Sequence, residues 1–246
     1  MPRFYLPPDA WQAPAWELAG DEAKHALKVM RLREGDTCTV FDGRGRAAEA
    51  RITATRGSSG LLLEPVADLP QPPPVAEITL CQSIPKGGNM ELIIQKAVEL
   101  GVSRIIPLIT ERTIVRLKPG EAEAKTEKWR RTVLEACKQC GQNTLPQVEL
   151  PMDYRDFLTH AGLPPLKIHA ALTDTAQPLR TVLEQARTSH IRQAAILVGP
   201  EGDFTPAENE AAAAHGFLPV TLGPIILRVE TATFFAISAI RYALDE

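Results

Sequence analysis

The amino-acid sequence predicts an α/β protein built from a small strand-rich module and a larger parallel β-sheet with helices on its faces. Three observations support this fold class. Short alternating segments fill residues 1–70, apolar strands alternate with amphipathic helices from residue 77 onward, and four prolines between residues 70 and 74 separate the two parts. We therefore predict one domain over residues 1–70 and a second over residues 71–246.

The first module is expected to fold as a short helix followed by a small β barrel. The helix is predicted over residues 21–29, and residues 42–45 are typical of a hairpin turn. The strands are predicted over residues 37–41, 47–55 and 61–63. The prolines that follow, including Pro73 and Pro74, predict a stiff linker.

The second part opens with a predicted βαβ unit. Its strands cover residues 77–83 and 104–110, and the helix between them has an apolar stripe at positions i, i+3, i+4, i+7 and i+8, counted from Met90. The glycines after Lys86 are not followed by the Gly-Lys-Ser/Thr of a phosphate-binding loop, and the chain has no GxGxxG. A nucleoside triphosphate site is therefore not expected in this unit.

A long helix is predicted over residues 121–140, with Cys137 and Cys140 on its inner stripe. Their spacing is that of half a zinc site, but the sequence has no second cysteine pair and its five histidines lack the spacing of metal ligands. We therefore expect core thiols and no bound metal.

Three strands of the C-terminal third are expected to end at one edge of the sheet. They are predicted over residues 167–172, 194–198 and 217–222. The loops that follow begin at Leu172, at Gly199-Pro200 and at Gly223-Pro224, and the carboxyl ends of parallel strands open onto one crevice. Glycines let main-chain amide and carbonyl groups approach a ligand closely. The competing interpretation is that the glycine loops are ordinary turns between a strand and a helix.

Two helices complete this region. Thr205, Pro206 and Glu208 form a helix start of the capping-box type. The final helix, predicted over residues 231–244, is apolar on every side, so it is expected to be buried in the core or against another subunit. We favour a homodimer.

The net charge and the lengths of the apolar runs limit the classes of function that this chain can have. The net charge of −3 argues against a protein held to nucleic acid by bulk charge, so RNA contacts must come from local basic clusters, which lie over residues 24–33 and 112–131. Such clusters are more often solvated surface. No apolar run reaches the roughly 20 residues of a membrane span, and the N-terminus has no signal-peptide core, so a cytoplasmic protein without membrane contact is expected.

The segments GPEG (residues 199–202) and LGPIILRVETA (residues 222–232) resemble the SPOUT superfamily of methyltransferases, and specifically the ribosomal RNA small subunit methyltransferase E family. The resemblance extends over nearly the whole chain through HALKVMRLREGD (residues 25–36), KAVELG (residues 96–101) and EACKQCGQN (residues 135–143). It implies a PUA-like RNA-binding domain followed by a SPOUT-type parallel sheet with a C-terminal trefoil knot, where the residues alone predict an open doubly wound sheet. It also implies a homodimer that methylates N3 of a uridine in 16S ribosomal RNA of the 30S subunit with S-adenosylmethionine.

The resemblance implies three sets of site residues. Main chain and side chains of the strand-end loops would hold the cofactor: Leu172, Val198, Gly199, Pro200, Glu201, Gly202, Leu222, Gly223, Ile226, Leu227, Thr231 and Ala232. Basic and amide side chains would contact RNA: Lys28, Arg31, Arg33, Lys86, Arg112 and Gln142. Arg228 and Glu230 would act in catalysis, Arg228 by stabilising the anion that develops as uridine N3 loses its proton.

Other roles remain open. Arg228 could instead pair with Glu230 or interact with a helix C-terminal dipole, and Glu230 could cap the last helix. The family commonly has arginine at Gln142 and Ile225 and glycine at Asp203. These departures favour, as an alternative, an RNA-binding ribosome-assembly factor with reduced or lost catalysis. An α/β enzyme that binds a different nucleotide is the third interpretation, against which the missing GxGxxG counts.

Overall fold

The computed structural model describes residues 1–13, 15–72, 75–118, 120–159 and 162–245. Pro73 and Pro74 of the predicted linker, and one of the five histidines, His160, lie outside these residues. The chain divides into two compact units, the first comprising Met1–Pro73 and Leu134–Leu145 and the second Pro74–Val133 and Pro146–Glu246. The predicted boundary near residue 70 did not anticipate that residues 134–145 belong with the first unit.

The first unit contains a five-stranded sheet in the order β1-β3-β4-β5-β2. Its strands are β1 (Arg3–Tyr5), β2 (Trp16–Ala19), β3 (Thr37–Phe41), β4 (Ala47–Thr55) and β5 (Gly60–Asp68). The pairing of β1 with β3 is parallel and the other pairings are antiparallel. Helix α1 (Gly20–Lys24) continues as a π-helix (His25–Val29), so the predicted helix is present but its second half is wound more loosely. Phe4, Leu18 and Leu61 belong to the core of this unit.

The second unit is a parallel sheet in the order β11-β13-β10-β12-β6-β7-β8, with β9 also paired to β7. The strands are β6 (Glu77–Ser83), β7 (Arg104–Ile109), β8 (Gln147–Val148), β9 (Met152–Asp153), β10 (Leu166–Ala170), β11 (Gln177–Pro178), β12 (Gln193–Val198) and β13 (Leu218–Thr221). The helices from residue 89 onward are α2 (Asn89–Glu99), α3 (Glu121–Cys140), α4 (Tyr154–Leu158), α5 (Leu179–Thr188), α6 (Pro206–Ala214) and α7 (Val229–Leu244). All belong to the second unit except the end of α3, since residues 134–140 are assigned to the first. Strand β10 lies between β12 and β13, which follow it in the chain, and this order brings three strand ends together.

Local sequence signals account for most of these elements. The α2 stripe that begins at Met90 is buried, and α6 has both hydrogen bonds of the predicted capping box between Thr205 and Glu208. The chain leaves α6 through Gly216 at φ 82°, a left-handed conformation that glycine adopts without strain. The α-helical and parallel-sheet expectations are confirmed, whereas the trefoil knot stays a prediction.

One helix prediction is wrong in part, and one stays a prediction. Cys140 is exposed because it lies in the last turn of α3, whereas Cys137 is buried and its burial raises the thiol pKa to about 12. On α7, Ile237 and Ile240 are buried, but Phe235 and Tyr242 are 49% and 76% exposed, so this helix keeps an apolar face outside the core of the single chain. Within the described ranges, none of the helices combines the length and the apolar character needed to cross a membrane.

Candidate active site

The carboxyl ends of β13, β10 and β12 lie side by side and surround a cavity of about 590 Å³. Parallel pairing fixes this arrangement, because Ala170 at the end of β10 is in register with Val198 of β12 and Val220 of β13. The cavity volume is in the range of small-molecule sites, about 300–1,000 Å³. The predicted crevice is therefore present, at the switch point where ligands bind in open α/β sheets.

Ten of the twelve residues predicted to hold a cofactor line this cavity. They are Leu172, Val198, Gly199, Pro200, Glu201, Leu222, Gly223, Ile226, Leu227 and Ala232. Gly202 and Thr231, which were predicted with them, are not among the lining residues, whereas Arg228, Glu230 and Lys86 are. Most of the wall therefore comes from loops after strands, as the glycine positions predicted.

Eight further lining residues were not among those predicted to hold the cofactor, although Asp203 and Ile225 were singled out as departures from the family pattern. The structure adds Asn89, Ala170, Ala171, Asp203, Val220, Thr221, Ile225 and Val229. Asn89 is the first residue of α2 and follows the glycines after Lys86. Because β6 pairs with β12, the end of β6 opens onto the same edge of the sheet, and this adjacency could not be read from the sequence.

We call residues 199–203 the braced loop, because two other segments and the adjacent Phe204 hold it. Its Glu201 carboxylate accepts a hydrogen bond from the Lys86 main-chain N–H at 3.1 Å, and its Gly202 carbonyl accepts one from Arg112 Nη1 at 2.7 Å. Gly199 is packed so closely that an added Cβ would lie 2.9 Å from the ring of buried Phe204. The conformation of this loop is therefore set by its surroundings before any ligand binds.

We call residues 222–228 the open loop, because it is mostly exposed. Ile225 and Ile226 are 72% and 81% exposed, although both line the cavity. Gly223 has φ 130°, and its N–H and carbonyl both bond to the Thr221 hydroxyl, at 3.3 and 3.1 Å. These hydrogen bonds are local, since Thr221 ends β13 directly before the loop.

A buried polar cluster holds the start of α7 where the open loop ends. The Thr233 hydroxyl lies 2.7 Å from Gln82 Oε1 and 2.9 Å from the Val229 carbonyl, and Gln82 Nε2 donates to the Ser83 carbonyl at 3.0 Å. Gln82 and Thr233 are completely buried, so leaving either without its partner would be costly. The cluster anchors the first turn of α7 to the end of β6, which fixes the backbone next to Arg228 and Glu230.

A buried histidine lies beneath the braced loop. His169 of β10 packs edge-on against Phe204, with ring centroids 4.7 Å apart, and its Nε2 has no hydrogen-bond partner in the described structure. Burial lowers the His169 pKa to about 4, so its ring is neutral at pH 7. Among the described residues, no group of three or more His, Cys, Asp or Glu side chains is placed to hold a metal ion.

The residues predicted to bind RNA fall into different surroundings. Lys28, Arg31 and Arg33 are exposed in the first unit, beside Val29 and Met30, which are 67% and 43% exposed. Arg31 has φ 56°, a left-handed conformation that is uncommon for a residue with a Cβ.

The remaining RNA candidates lie elsewhere. Gln142 is half-buried in the first unit and its carbonyl accepts a hydrogen bond from Arg3 at 3.2 Å. Lys86 lines the cavity, and Arg112 is bonded to the braced loop instead of projecting freely.

Comparison with known proteins gives one consistent result. A family model described as an RNA methyltransferase domain matches residues 71–241, and one described as an RNA methyltransferase PUA domain matches residues 18–66. The chain is 36% identical over 222 residues to ribosomal RNA small subunit methyltransferase E of Synechocystis. These residues cover 89% of this chain and 70% of that protein. It is 32% identical over 241 residues to the Bacillus subtilis protein of the same name, with 95% and 92% covered.

A solved structure agrees with these relatives. The Neisseria gonorrhoeae ribosomal RNA small subunit methyltransferase E, bound to S-adenosylmethionine, is 36% identical to this chain and superposes with a TM-score of 0.83 over 98% of this chain and 97% of that one.

Proposed function

Because the chain belongs to the ribosomal RNA small subunit methyltransferase E family, we propose that it transfers a methyl group from S-adenosylmethionine to N3 of a uridine in the 16S RNA of the small ribosomal subunit. The observation that carries this proposal is the cavity at the ends of β10, β12 and β13, with walls formed largely by loops after the strands. We propose that the protein acts in the cytoplasm, where the small subunit is assembled.

The residues around the cavity fit the proposed cofactor. The volume suits a nucleoside-sized ligand, and Gly199 and Gly223 keep the main chain free of side chains on two sides of it. Leu172, Leu222 and Leu227 give the site apolar walls for an adenine ring. S-adenosylmethionine supplies an electrophilic methyl group on a sulfonium, so the protein mainly binds, orients and excludes water. Such orientation can contribute on the order of 7–11 kcal/mol to lowering the barrier.

Arg228 is the group we propose to face the target base. Uridine N3 must lose a proton as it gains the methyl group, and a cation beside the base stabilises the negative charge that develops. Two features support this role. The exposed Arg228 precedes the N-terminus of α7, where the helix dipole disfavours a cation, and no ion pair joins it to Glu230 in the part of the chain that the structure describes. The surroundings of Arg228 therefore do not favour the two structural roles left open by the sequence, a salt bridge with Glu230 and an interaction with a helix C-terminal dipole.

Glu230 is proposed to assist at the same edge of the cavity. It lies in the first turn of α7 and lines the cavity. A carboxylate at this position suits the helix dipole and could accept the N3 proton. Lys28, Arg31 and Arg33 of the first unit are proposed to contact RNA phosphates.

We also propose that two copies associate through α7. Exposed Phe235 and Tyr242 border a mainly apolar groove of about 550 Å³ that Leu183 and Ala239 also line. Large exposed apolar patches of this kind mark interaction surfaces. Light scattering after gel filtration should give the mass of a dimer, and Tyr242→Asp should reduce it to that of a monomer. A monomeric mass for the unmodified chain would contradict this part of the proposal.

The decisive experiment combines the protein and labelled S-adenosylmethionine with 30S subunits from a strain that lacks the endogenous activity. We expect label at one uridine, mapped as N3-methyluridine. Arg228→Ala should lower kcat about 100-fold, the usual scale for losing one group that stabilises charge in the transition state. Arg155→Ala, which removes an exposed arginine of α4, is the matched control and should leave kcat unchanged. Tight cofactor binding without methyl transfer would instead select the RNA-binding assembly factor.

A further inference from the structure

Arg112 was predicted to contact RNA, but its guanidinium is engaged by the main chain of the braced loop. Arg112 Nη1 lies 2.7 Å from the Gly202 carbonyl and 3.5 Å from the Phe204 carbonyl. These two carbonyls flank Asp203, which has φ 57°. We propose that Arg112 is a positioning residue that holds the braced loop in the conformation that binds the methyl donor, an inference that rests on the proposed function.

The braced loop needs an external support because of its own conformation. A left-handed backbone is unfavourable for a residue with a Cβ, although aspartate tolerates it better than most residues. The Asp203 N–H closes a turn onto the Pro200 carbonyl at 2.9 Å, which leaves the Gly202 carbonyl to a partner outside the loop. Arg112 is that partner, and its bond is of the charge-assisted kind.

The segment that carries Arg112 is itself firmly held. Buried Thr110 and Thr113 join their hydroxyls at 2.8 Å, and the Thr113 N–H donates to the Thr110 carbonyl at 3.1 Å. The Glu111 N–H donates to Glu208 Oε1 at 2.9 Å, while the other oxygen of Glu208 accepts from the N–H of Thr205. Arg112 therefore extends from a turn fixed to the N-terminus of α6.

Arg112 acts from outside the cavity. Gly199, Pro200, Glu201 and Asp203 line the cavity, whereas Arg112 does not. The aliphatic part of its side chain lies against Gly202, where an added Cβ would meet Arg112 Cβ and Cδ at 3.4 Å. The side chain thus supports the braced loop without being placed to touch a ligand, and its effect on binding must pass through the loop.

The expected effect follows from the population of the competent conformation. If the braced loop samples other conformations without Arg112, the apparent affinity for the donor falls in proportion to the competent fraction. Loss of one hydrogen bond of this type should weaken binding by about five- to tenfold. If Arg112 contacted RNA instead, its replacement would leave the donor affinity unchanged. It would weaken RNA binding and reduce the salt dependence of that binding.

The test is calorimetric titration of the full chain with S-adenosylmethionine, without RNA. We expect Arg112→Ala to raise Kd about five- to tenfold, and Arg112→Lys, which keeps one donor, to restore part of the affinity. Arg116→Ala, which removes another exposed arginine of the same segment, should bind like the unmodified protein. Methylation of 30S subunits should show a raised KM for the donor with kcat within about twofold of normal at saturation, since the positioning effect is on binding.

Three results would overturn this inference. The first is unchanged donor affinity in Arg112→Ala, and the second is loss of 30S affinity with a normal KM for the donor. The third is equal loss in Arg112→Lys and Arg112→Ala. A thermal melt of each variant identifies global unfolding, and if Arg112→Ala unfolds, Arg112→Lys and Arg112→Gln carry the test. If the unmodified chain fails to bind the donor, the proposed function fails as well; if it binds and methylates but Arg112→Ala matches it, only this inference fails.

Discussion

The braced loop and the open loop line one cavity, but they reach their conformations by different physical means. The braced loop is held by Lys86 and Arg112 and by the packing of Gly199 on Phe204. The open loop is hydrogen-bonded through Gly223 to Thr221, the residue just before it, and exposes its two isoleucines. One wall of the cavity is therefore formed in advance, and the other has exposed apolar surface still to be covered.

The glycines at the start of the two loops show the same difference. Gly199 is required because a Cβ would collide with the ring of Phe204, although its backbone conformation is open to other residues. Gly223 has open space around its Cα, but its φ of 130° is unfavourable for any residue with a side chain. The two glycines look equivalent in the sequence, but packing requires glycine in the braced loop and backbone conformation requires it in the open loop.

Acidification should weaken the support beneath the braced loop, and this is the largest effect we expect. The His169 pKa is about 4 in the folded protein and 6.5 in its unperturbed state, so the unfolded chain takes up the proton first. Stability from the neutral ring is therefore fully present above pH 6.5 and is lost as pH falls towards 4, by up to roughly 3 kcal/mol.

The measurement is urea unfolding at pH 7.5 and pH 4.5 for the unmodified chain and for His169→Gln. Carboxylates titrate in both proteins. The contribution of His169 is therefore the difference between the two proteins in how much unfolding free energy is lost on acidification. We expect the unmodified chain to lose about 2–3 kcal/mol more than the variant. Parallel pH profiles would show that His169 does not titrate as its burial requires.

Gly199→Ala should separate packing from conformation. The new methyl group would push the Phe204 ring out of a site that it shares with His169 and Tyr154. Overpacking of this kind typically costs about 1–3 kcal/mol, and we expect about 2 kcal/mol of stability together with loss of donor binding. Urea unfolding and calorimetric titration measure the two effects. The double variant Gly199→Ala with Phe204→Leu should recover part of the stability, and no recovery would contradict the steric explanation.

Gly223→Ala should have a smaller effect of different origin. Nothing lies within 4 Å of the new methyl group, so the cost is backbone strain, partly offset by the lower entropy of the unfolded chain. We expect a net loss of about 1 kcal/mol. Gly223→Asn should lose about as much stability as Gly223→Ala, because φ 130° lies outside the left-handed region, near roughly 60°, that asparagine favours. A clearly higher melting temperature for Gly223→Asn would argue against strain at this φ as the cause.

The sequence predicted features that depend on local chemistry. The strand end at Val198, the Thr205–Glu208 capping box and the buried stripe of α2 all follow from residues close together in the chain. Features that depend on long-range pairing were missed. The sequence shows Arg112 as one of many basic residues, because its partner carbonyl at Gly202 is distant in the chain.

Exposure was the other point at which sequence reasoning was incomplete. The apolar residues on every side of α7 predicted burial in the core or against another subunit, and the exposure of Phe235 and Tyr242 in the single chain excludes the core for that face. Cys140 has the spacing of an inner-stripe residue, but the end of α3 exposes it. Hydrophobic periodicity gives the direction of a side chain from the helix axis and does not give what lies in that direction.

Asp203 offers the finest test of the braced loop, with the smallest expected effect. The family's usual glycine at this position suits φ 57° without strain, so Asp203→Gly should remove strain while adding entropy to the unfolded chain. Because these two terms oppose each other, Asp203→Gly should change the free energy of unfolding by less than about 1 kcal/mol. Asp203→Ala keeps the strain and loses the carboxylate, so it should be about 1 kcal/mol less stable than Asp203→Gly. Urea unfolding of both variants measures that difference. If Arg112 supports the loop, the gap between the two should widen in an Arg112→Ala background, because the strained conformation then has less external support; an unchanged gap would mean that residue 203 and Arg112 act independently.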